Sequence, residues 1–190
     1  MKNPIKFCAV ALSSFLLACL HSNAQTTTTK TETYGSGIRL SIGAEAGIPV
    51  SSLKDAYDWN LGGSVQADFP IVKDQFFATI NSGYNNFFAK NNSASKDLHL
   101  IPLKAGLKYF PVKCFYVQGE AGASFLTNKN SISADKSAVF VYAPQVGVLL
   151  NIGGNNYIDA GFRFEGNTKF YDGGKTNNFL GLRIAYAFNL

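Results

Sequence analysis

Hydrolytic or acyl-transfer chemistry in a short chain needs a nucleophile beside a base, most often a Ser or Cys next to a His. The sequence contains two histidines, His21 and His99. His99 follows Asp97, which could orient the ring, and a loop Ser could then serve as the nucleophile. Two residues on, where a strand would put a partner on the same face, stands Ile101 and not Ser. No acyl-transfer pair is therefore written into the strand, and a His at a water–lipid boundary is the simpler reading. Gly174-Lys175-Thr176 has the last three residues of a phosphate-binding loop, but the Gly needed five positions earlier is Lys169, and a strand follows where that motif requires a helix. No Cys/His set has metal-ligand spacing. These residues supply no catalytic, cofactor-binding or metal-binding site, and the chain is expected not to be an enzyme.

A second constellation is larger. Arg39, Lys104, Lys108, Arg163 and Arg183 fall on the polar side of alternating segments, and so do Glu45, Asp68, Glu120, Asp159 and Glu165. Five positive charges face five negative ones, and buried charges must be paired. A balanced set on one inward face predicts a salt-bridged plug. A wetted, weakly selective pore lined by the same residues is the functional alternative.

The elements that must position these charges are strands. The last stretch shows this most clearly: Leu182, Ile184, Tyr186, Phe188 and Leu190 alternate with Gly181, Arg183, Ala185, Ala187 and Asn189. Period two means a strand with one apolar and one small or polar face, and its length suffices for a tilted membrane strand of about 9–11 residues. The same alternation runs through Ile38–Ile48, Leu61–Phe69, Phe76–Tyr84, Leu98–Tyr109, Phe115–Phe125 and Tyr157–Gly166. Val139–Ile152 is strand-like but apolar on both faces, so its parity stays open. The count is eight, with no helical period longer than a turn. Connections alternate: Pro49–Asn60, Asn85–Asp97, Thr127–Ala138 and Asn167–Asn177 are long and polar, and Pro70–Gln75, Phe110–Cys114 and Gly153–Asn156 are short. This layout predicts an all-β, eight-stranded antiparallel up-and-down transmembrane β-barrel over residues 37–190, in a bacterial outer membrane. Small inward residues suit a lumen this narrow. Two aromatic girdles are expected, with Trp59, Phe87, Phe88, Phe125, Phe140, Phe164 and Phe179 towards the long loops. Phe69, Tyr109, Phe110, Phe115, Tyr157 and Phe188 lie towards the short turns. If Tyr109 pairs with Phe115 across the short turn, Lys104 lies opposite Glu120.

The start of the chain reads as export. Lys2 and Lys6 precede an apolar run from Phe7 to Leu20, followed by small residues at Ser22 and Ala24, a secretory signal over residues 1–24. Leu16-Leu17-Ala18-Cys19 offers the alternative of a lipidated Cys19. Residues 25–36 are Thr-rich and read as a flexible lead-in. Cleavage after Ala24 leaves 166 residues, a net charge of +3 and Cys114 as the remaining cysteine, so no internal disulfide is expected. Charged residues make up 15% of the chain, against about 25% in soluble proteins. No basic run with interleaved aromatics suggests nucleic acid. The loop lysines Lys90, Lys96, Lys129, Lys136, Lys169 and Lys175 could meet lipopolysaccharide phosphates, although ordinary solvation accounts for them equally well.

Ile101-Pro102-Leu103-Lys104-Ala105-Gly106-Leu107-Lys108-Tyr109, Phe115-Tyr116-Val117-Gln118-Gly119-Glu120-Ala121-Gly122, Pro144-Gln145-Val146-Gly147 and Tyr157-Ile158-Asp159-Ala160-Gly161-Phe162-Arg163-Phe164 together resemble the small outer-membrane β-barrel domain family that includes PorT-like proteins. The architecture is similar to that of OmpX and the OmpA membrane domain. The resemblance implies a monomer in contact with outer-membrane lipid and lipopolysaccharide. It also implies delivery by the barrel-assembly machinery through the C-terminal strand, and it raises a place in a secretion or assembly machine. Many such proteins finish on Phe or Trp; here Leu190 is last and Phe188 lies two before it. A structural or surface-binding role through the loops is the leading expectation.

Overall fold

The structure, a computed structural model, describes residues 37–90, 96–127, 136–169 and 176–190. The expected leader and lead-in lie outside the described residues. Within them the chain forms eight strands: β1 Arg39–Ser51, β2 Tyr57–Val72, β3 Phe76–Ala89, β4 Leu98–Tyr109, β5 Phe115–Leu126, β6 Ala138–Gly153, β7 Asn156–Asn167 and β8 Asn177–Asn189. Each pairs antiparallel with the next, and β8 closes on β1 from Arg39↔Asn189 to Ser51↔Asn177. Closure removes the free edges that such strands would otherwise expose.

Alternation carries through to burial. On β1 and β8 the inward Ser41, Glu45, Arg183, Ala185 and Ala187 are buried while Ile42, Ile48, Leu182 and Ile184 are exposed. The same outward band continues through Val65, Ile80, Leu103, Leu107 and Phe162. So large a continuous apolar surface has no place in water, and here it faces lipid. Strand β6 shows why its parity is unreadable in sequence: Val139, Val141, Ala143 and Leu149 point inward and Phe140, Tyr142, Val146 and Leu150 outward.

Three expectations need correction. The first connection spans only 52–56 and contains a 3-10 turn, Ser52–Asp55. β1 keeps pairing with β8 through Pro49↔Phe179, so the strand runs on to Ser51. The register between β4 and β5 is displaced by two residues: Tyr109 pairs with Val117, Lys104 with Gly122 and Gly106 with Glu120. Phe110 folds into the lumen against Tyr116, and the Leu149 amide donates to the Cys114 carbonyl. Phe115 and Tyr116 consequently pair with β6, and β5 meets β4 two residues later.

The third correction concerns the girdles. Phe87, Phe179, Phe110 and Tyr157 are buried inside the barrel. Trp59, Phe125, Phe140, Phe69 and Tyr109 are exposed on the outside, where Trp59 stacks on Phe88 and Phe76 on Tyr109. The inward aromatics close the two ends. At the loop end Leu53, Tyr57, Phe87, Leu98, Leu100, Leu126, Val139 and Phe179 form one apolar cluster. At the turn end Phe77, Phe110, Tyr116, Leu149, Tyr157 and Ala187 form another.

Candidate functional site

The ten inward charges occupy the lumen between and within these clusters, and all ten are buried. Among the described residues they form one unbranched chain of alternating sign. Arg39 lies 3.9 Å from Asp68, which is 2.8 Å from Lys108, which is 3.4 Å from Asp159. Asp159 lies 3.6 Å from Arg183, which is 3.6 Å from Glu45, which is 2.5 Å from Arg163. Arg163 lies 3.4 Å from Glu165, which is 2.6 Å from Lys104, which is 3.7 Å from Glu120. Every ion but the two terminal ones thus touches two of opposite charge. Such an arrangement offsets the desolvation cost, several kcal/mol per ion, far better than isolated pairs would.

The links cross the lumen. Lys104 and Lys108 on β4 reach Glu165 and Asp159 on β7, and Arg163 on β7 reaches Glu45 on β1. Lys104 still contacts Glu120, diagonally and at longer range than it contacts Glu165. Strands β3 and β6 contribute no charge and supply neutral partners instead. Thr79 donates to Glu120, and the Asn81 amide donates to Gln66, which in turn donates to Asp68 and exchanges hydrogen bonds with Gln118 across the lumen.

Tyr116 is the largest functional side chain that reading the charges alone passes over. Its hydroxyl donates to Asp159 at 2.6 Å and accepts from the Gln145 amide at 2.6 Å. The ring has room because Gly147 and Gly161 lie beneath it; a Cβ at Gly161 would come within 2.8 Å of the hydroxyl. The sequence signal was the small residues on the inward faces of β6 and β7, opposite an inward tyrosine.

The two ends of the chain differ. Glu120 ends among polar groups. Arg39 ends in an aromatic cage, its guanidinium 5.1 Å from the Phe77 ring centre, 5.0 Å from Tyr157 and 6.0 Å from Phe110, with Nε donating to Asn189. Such faces stabilise a cation by about 2 kcal/mol or more when water is excluded. A dent at this mouth, lined by Arg39, Asp74, Phe77, Phe110 and Lys113, has no room for a water molecule.

His99 lies apart from this interior, on the outer side of β4, where its ring nitrogen meets the Tyr84 hydroxyl. Asp97 accepts from the Ala89 amide and so ties the β3–β4 connection. Among the described residues no group of His, Cys, Asp and Glu has the geometry of a metal site.

Neither a protein-family model nor a curated protein matches the sequence. Solved structures do match in fold. The outer-membrane protein OprG from Pseudomonas aeruginosa aligns with a TM-score of 0.51 at 12% identity, over 84% of this chain and 99% of that one. Ail, the attachment invasion locus protein of Yersinia pestis, aligns with a TM-score of 0.50 at 16% identity, over 81% of this chain and 100% of that one. At these identities the likeness is one of fold. Taken with the continuous apolar exterior, it makes the chain a small β-barrel of the bacterial outer membrane.

Proposed function

We propose that the protein is a closed, non-conducting barrel whose work is done at its surface. It would be a monomeric scaffold that presents the connections 90–97, 127–137 and 168–176 outside the cell for binding. The observation that carries this reading is the unbroken ion chain between two apolar seals. An ion crossing the lumen would have to break several buried pairs at once, each break leaving an uncompensated charge that costs about 3–5 kcal/mol. Short turns face the periplasm in barrels of this kind and long loops face outward, which gives the loops access to lipopolysaccharide phosphates through Lys90, Lys96, Lys136 and Lys169. The β8 strand would be what the assembly machinery handles. A narrow pore needs a water path that the ion chain occupies. A part in a secretion machine rests on the PorT-like sequence resemblance alone.

Planar-bilayer recording tests the closed interior. No long-lived conductance steps are expected from the purified barrel. Stable open steps whose ion selectivity changes in Lys104→Ala would replace this reading with the pore. Replacement of 127–137 by a two-residue Asn-Gly turn should abolish cell-surface binding of a partner captured by the intact protein while leaving the barrel folded.

A further inference from the structure

The pairing of the barrel wall has a gap in each of two ladders. Strands β3 and β4 pair as far as Ser82↔Leu103 and again from Asn85↔Leu100, with Gly83 and Tyr84 unpaired opposite Pro102 and Ile101. Strands β6 and β7 pair as far as Tyr142↔Gly166 and again from Gln145↔Arg163, with Ala143 and Pro144 unpaired opposite Glu165 and Phe164. A proline stands in each gap, and the register resumes unchanged beyond it, so neither gap is a bulge. In an antiparallel ladder an N–H at a bonding position supports its own pair and one neighbouring pair. Proline has no N–H, so there it deletes two pairs and leaves the carbonyl opposite, of Gly83 or Phe164, without its ladder donor. Mid-sheet prolines are avoided for this reason. Pro49 and Pro70, near strand ends, keep their pairs with Phe179 and Phe77. Towards β5, Pro102 and Pro144 keep theirs with Ser124 and Gly119. The ladder that closes the barrel, β8 on β1, has no gap.

The two gaps divide the wall into an arc of three strands, β4 to β6, and an arc of five, β7 and β8 with β1 to β3. Among the described residues, every interior ion pair that joins the arcs runs through a lysine of β4. Lys108 reaches Asp68 on β2, beyond the first gap, at 2.8 Å, and Asp159 on β7, beyond the second, at 3.4 Å. Lys104 stands two residues from Pro102 on the same face. Its partner at 2.6 Å, Glu165, is one of the residues that the second gap leaves unpaired. Tyr116 on β5 adds a hydrogen bond to Asp159 between the same arcs.

From this geometry we propose that the barrel wall is built in two parts, that the proline gaps are seams along which it opens locally, and that Lys104 and Lys108 are clasps that hold the seams shut from inside. A backbone carbonyl without a donor is costly in a membrane wall, so the ladder is weakest beside Gly83 and Phe164. Local opening starts where the fewest bonds must break. The brace from β4 to β7 then does more than balance charge: it replaces, across the lumen, the cohesion that Pro102 and Pro144 remove from the wall. Opening is confined to β3–β4 and β6–β7, and the unbroken β8–β1 ladder stays closed.

Amide hydrogen exchange of the folded barrel in lipid nanodiscs, read residue by residue by NMR, tests this. The first seam is followed at Gly83, Asn85 and Leu100, the second at Tyr142, Phe164 and Gly166, and the amides between β8 and β1 serve as the internal reference. Glu165→Gln keeps the shape of the side chain and removes its charge. It should speed exchange at both seams about tenfold relative to β8–β1. Lys104→Met repeats the measurement from the other side of the pair and stands in if the first variant does not fold. Adding Pro102→Ala returns an N–H to the first seam. Gly83, Asn85 and Leu100 should then slow about tenfold while the second seam stays fast. Pro144→Ala is the mirror experiment, slowing the second seam and leaving the first fast. Exchange that rises equally between β8 and β1, or a proline replacement that slows neither seam, overturns the proposal. Bilayer recording judges the closed interior separately, because the seams are read by exchange whether or not the barrel conducts.

Discussion

Lys104 on β4 and Glu165 on β7 meet across the lumen with Nζ and Oε2 2.6 Å apart, while Glu120 on the adjacent strand is 3.7 Å from the same ammonium. The trans-lumen contact is the shorter one, so the interior is braced across its diameter as well as around its wall. Removing Lys104 leaves Glu165 with Arg163 and takes from Glu120 its ion pair, leaving it the Thr79 hydrogen bond.

Lys104→Ala and Glu165→Ala should each destabilise the barrel by about 3–5 kcal/mol, and Glu120→Ala, at the end of the chain, by less, because Lys104 keeps Glu165. In double-mutant cycles the Lys104–Glu165 coupling should exceed the Lys104–Glu120 coupling, within the range of about 0.5–3 kcal/mol seen for residues in contact. Reversible urea unfolding in lipid vesicles measures both. Equal couplings, or a larger one to Glu120, would mean that the cross-lumen brace does not form in the membrane.

The Lys104 case also marks where sequence reading stops. Parity is local: a residue's neighbours two positions away show which face it shares, and the ten inward charges follow from that alone. Register is not local. It depends on how Phe110 folds back at the turn and on the stagger that closing a barrel imposes, so the expected Lys104–Glu120 opposition missed by two residues. Partners on β7, far along the chain from β4, are legible only once the barrel closes. The inward aromatics escaped for another reason. Phe87 and Phe179 sit at strand ends, where an aromatic can equally well face lipid headgroups or stopper the lumen. Composition does not distinguish the two, and neither does period-two reading when the strand boundary itself is in doubt.

Tyr116 is held by its hydroxyl and by the space under its ring. Tyr116→Phe should cost about 1–3 kcal/mol by leaving Gln145 and Asp159 each short of a buried partner. Gly161→Ala should cost about 1–3 kcal/mol by overpacking against the phenol and the Gln145 amide. In a Tyr116→Ala, Gln145→Ala background most of that second penalty should disappear. A Gly161→Ala cost that persists unchanged would place the clash elsewhere.

The apolar exterior predicts a response that a water-soluble barrel would not give. Leu103 is half exposed on the outward face of β4, beside Leu107 and opposite Ala123. Leu103→Arg should lower the folding free energy in lipid vesicles by about 2–4 kcal/mol, as for an arginine near the bilayer midplane. A loss within about 0.5 kcal/mol, the usual effect of an exposed surface change, would place Leu103 in water and contradict the orientation of the strand.

The ends of the ion chain should matter less than its middle. Lys108 lies between Asp68 and Asp159, at 2.8 and 3.4 Å, and its ammonium sits 4.6 Å from the Tyr116 ring centre. Lys108→Met removes a charge and leaves two buried carboxylates short of a partner, a loss of about 3–5 kcal/mol. Arg39 is terminal. If it is replaced by Met, Asp68 keeps Lys108, the methionine packs on the Phe77, Phe110 and Tyr157 rings that caged the guanidinium, and Arg39 Nη1 and Nη2, which have no hydrogen-bond acceptor, are removed with it. Sulfur–aromatic contacts return about 0.3–1.5 kcal/mol, against a cation–π loss of about 2 kcal/mol. The net cost of Arg39→Met should therefore be about 0.5–1.7 kcal/mol, clearly below that of Lys108→Met in parallel urea titrations. The reverse order would mean that Arg39, through its 3.9 Å contact, and not Lys108, is the main counter-ion of Asp68.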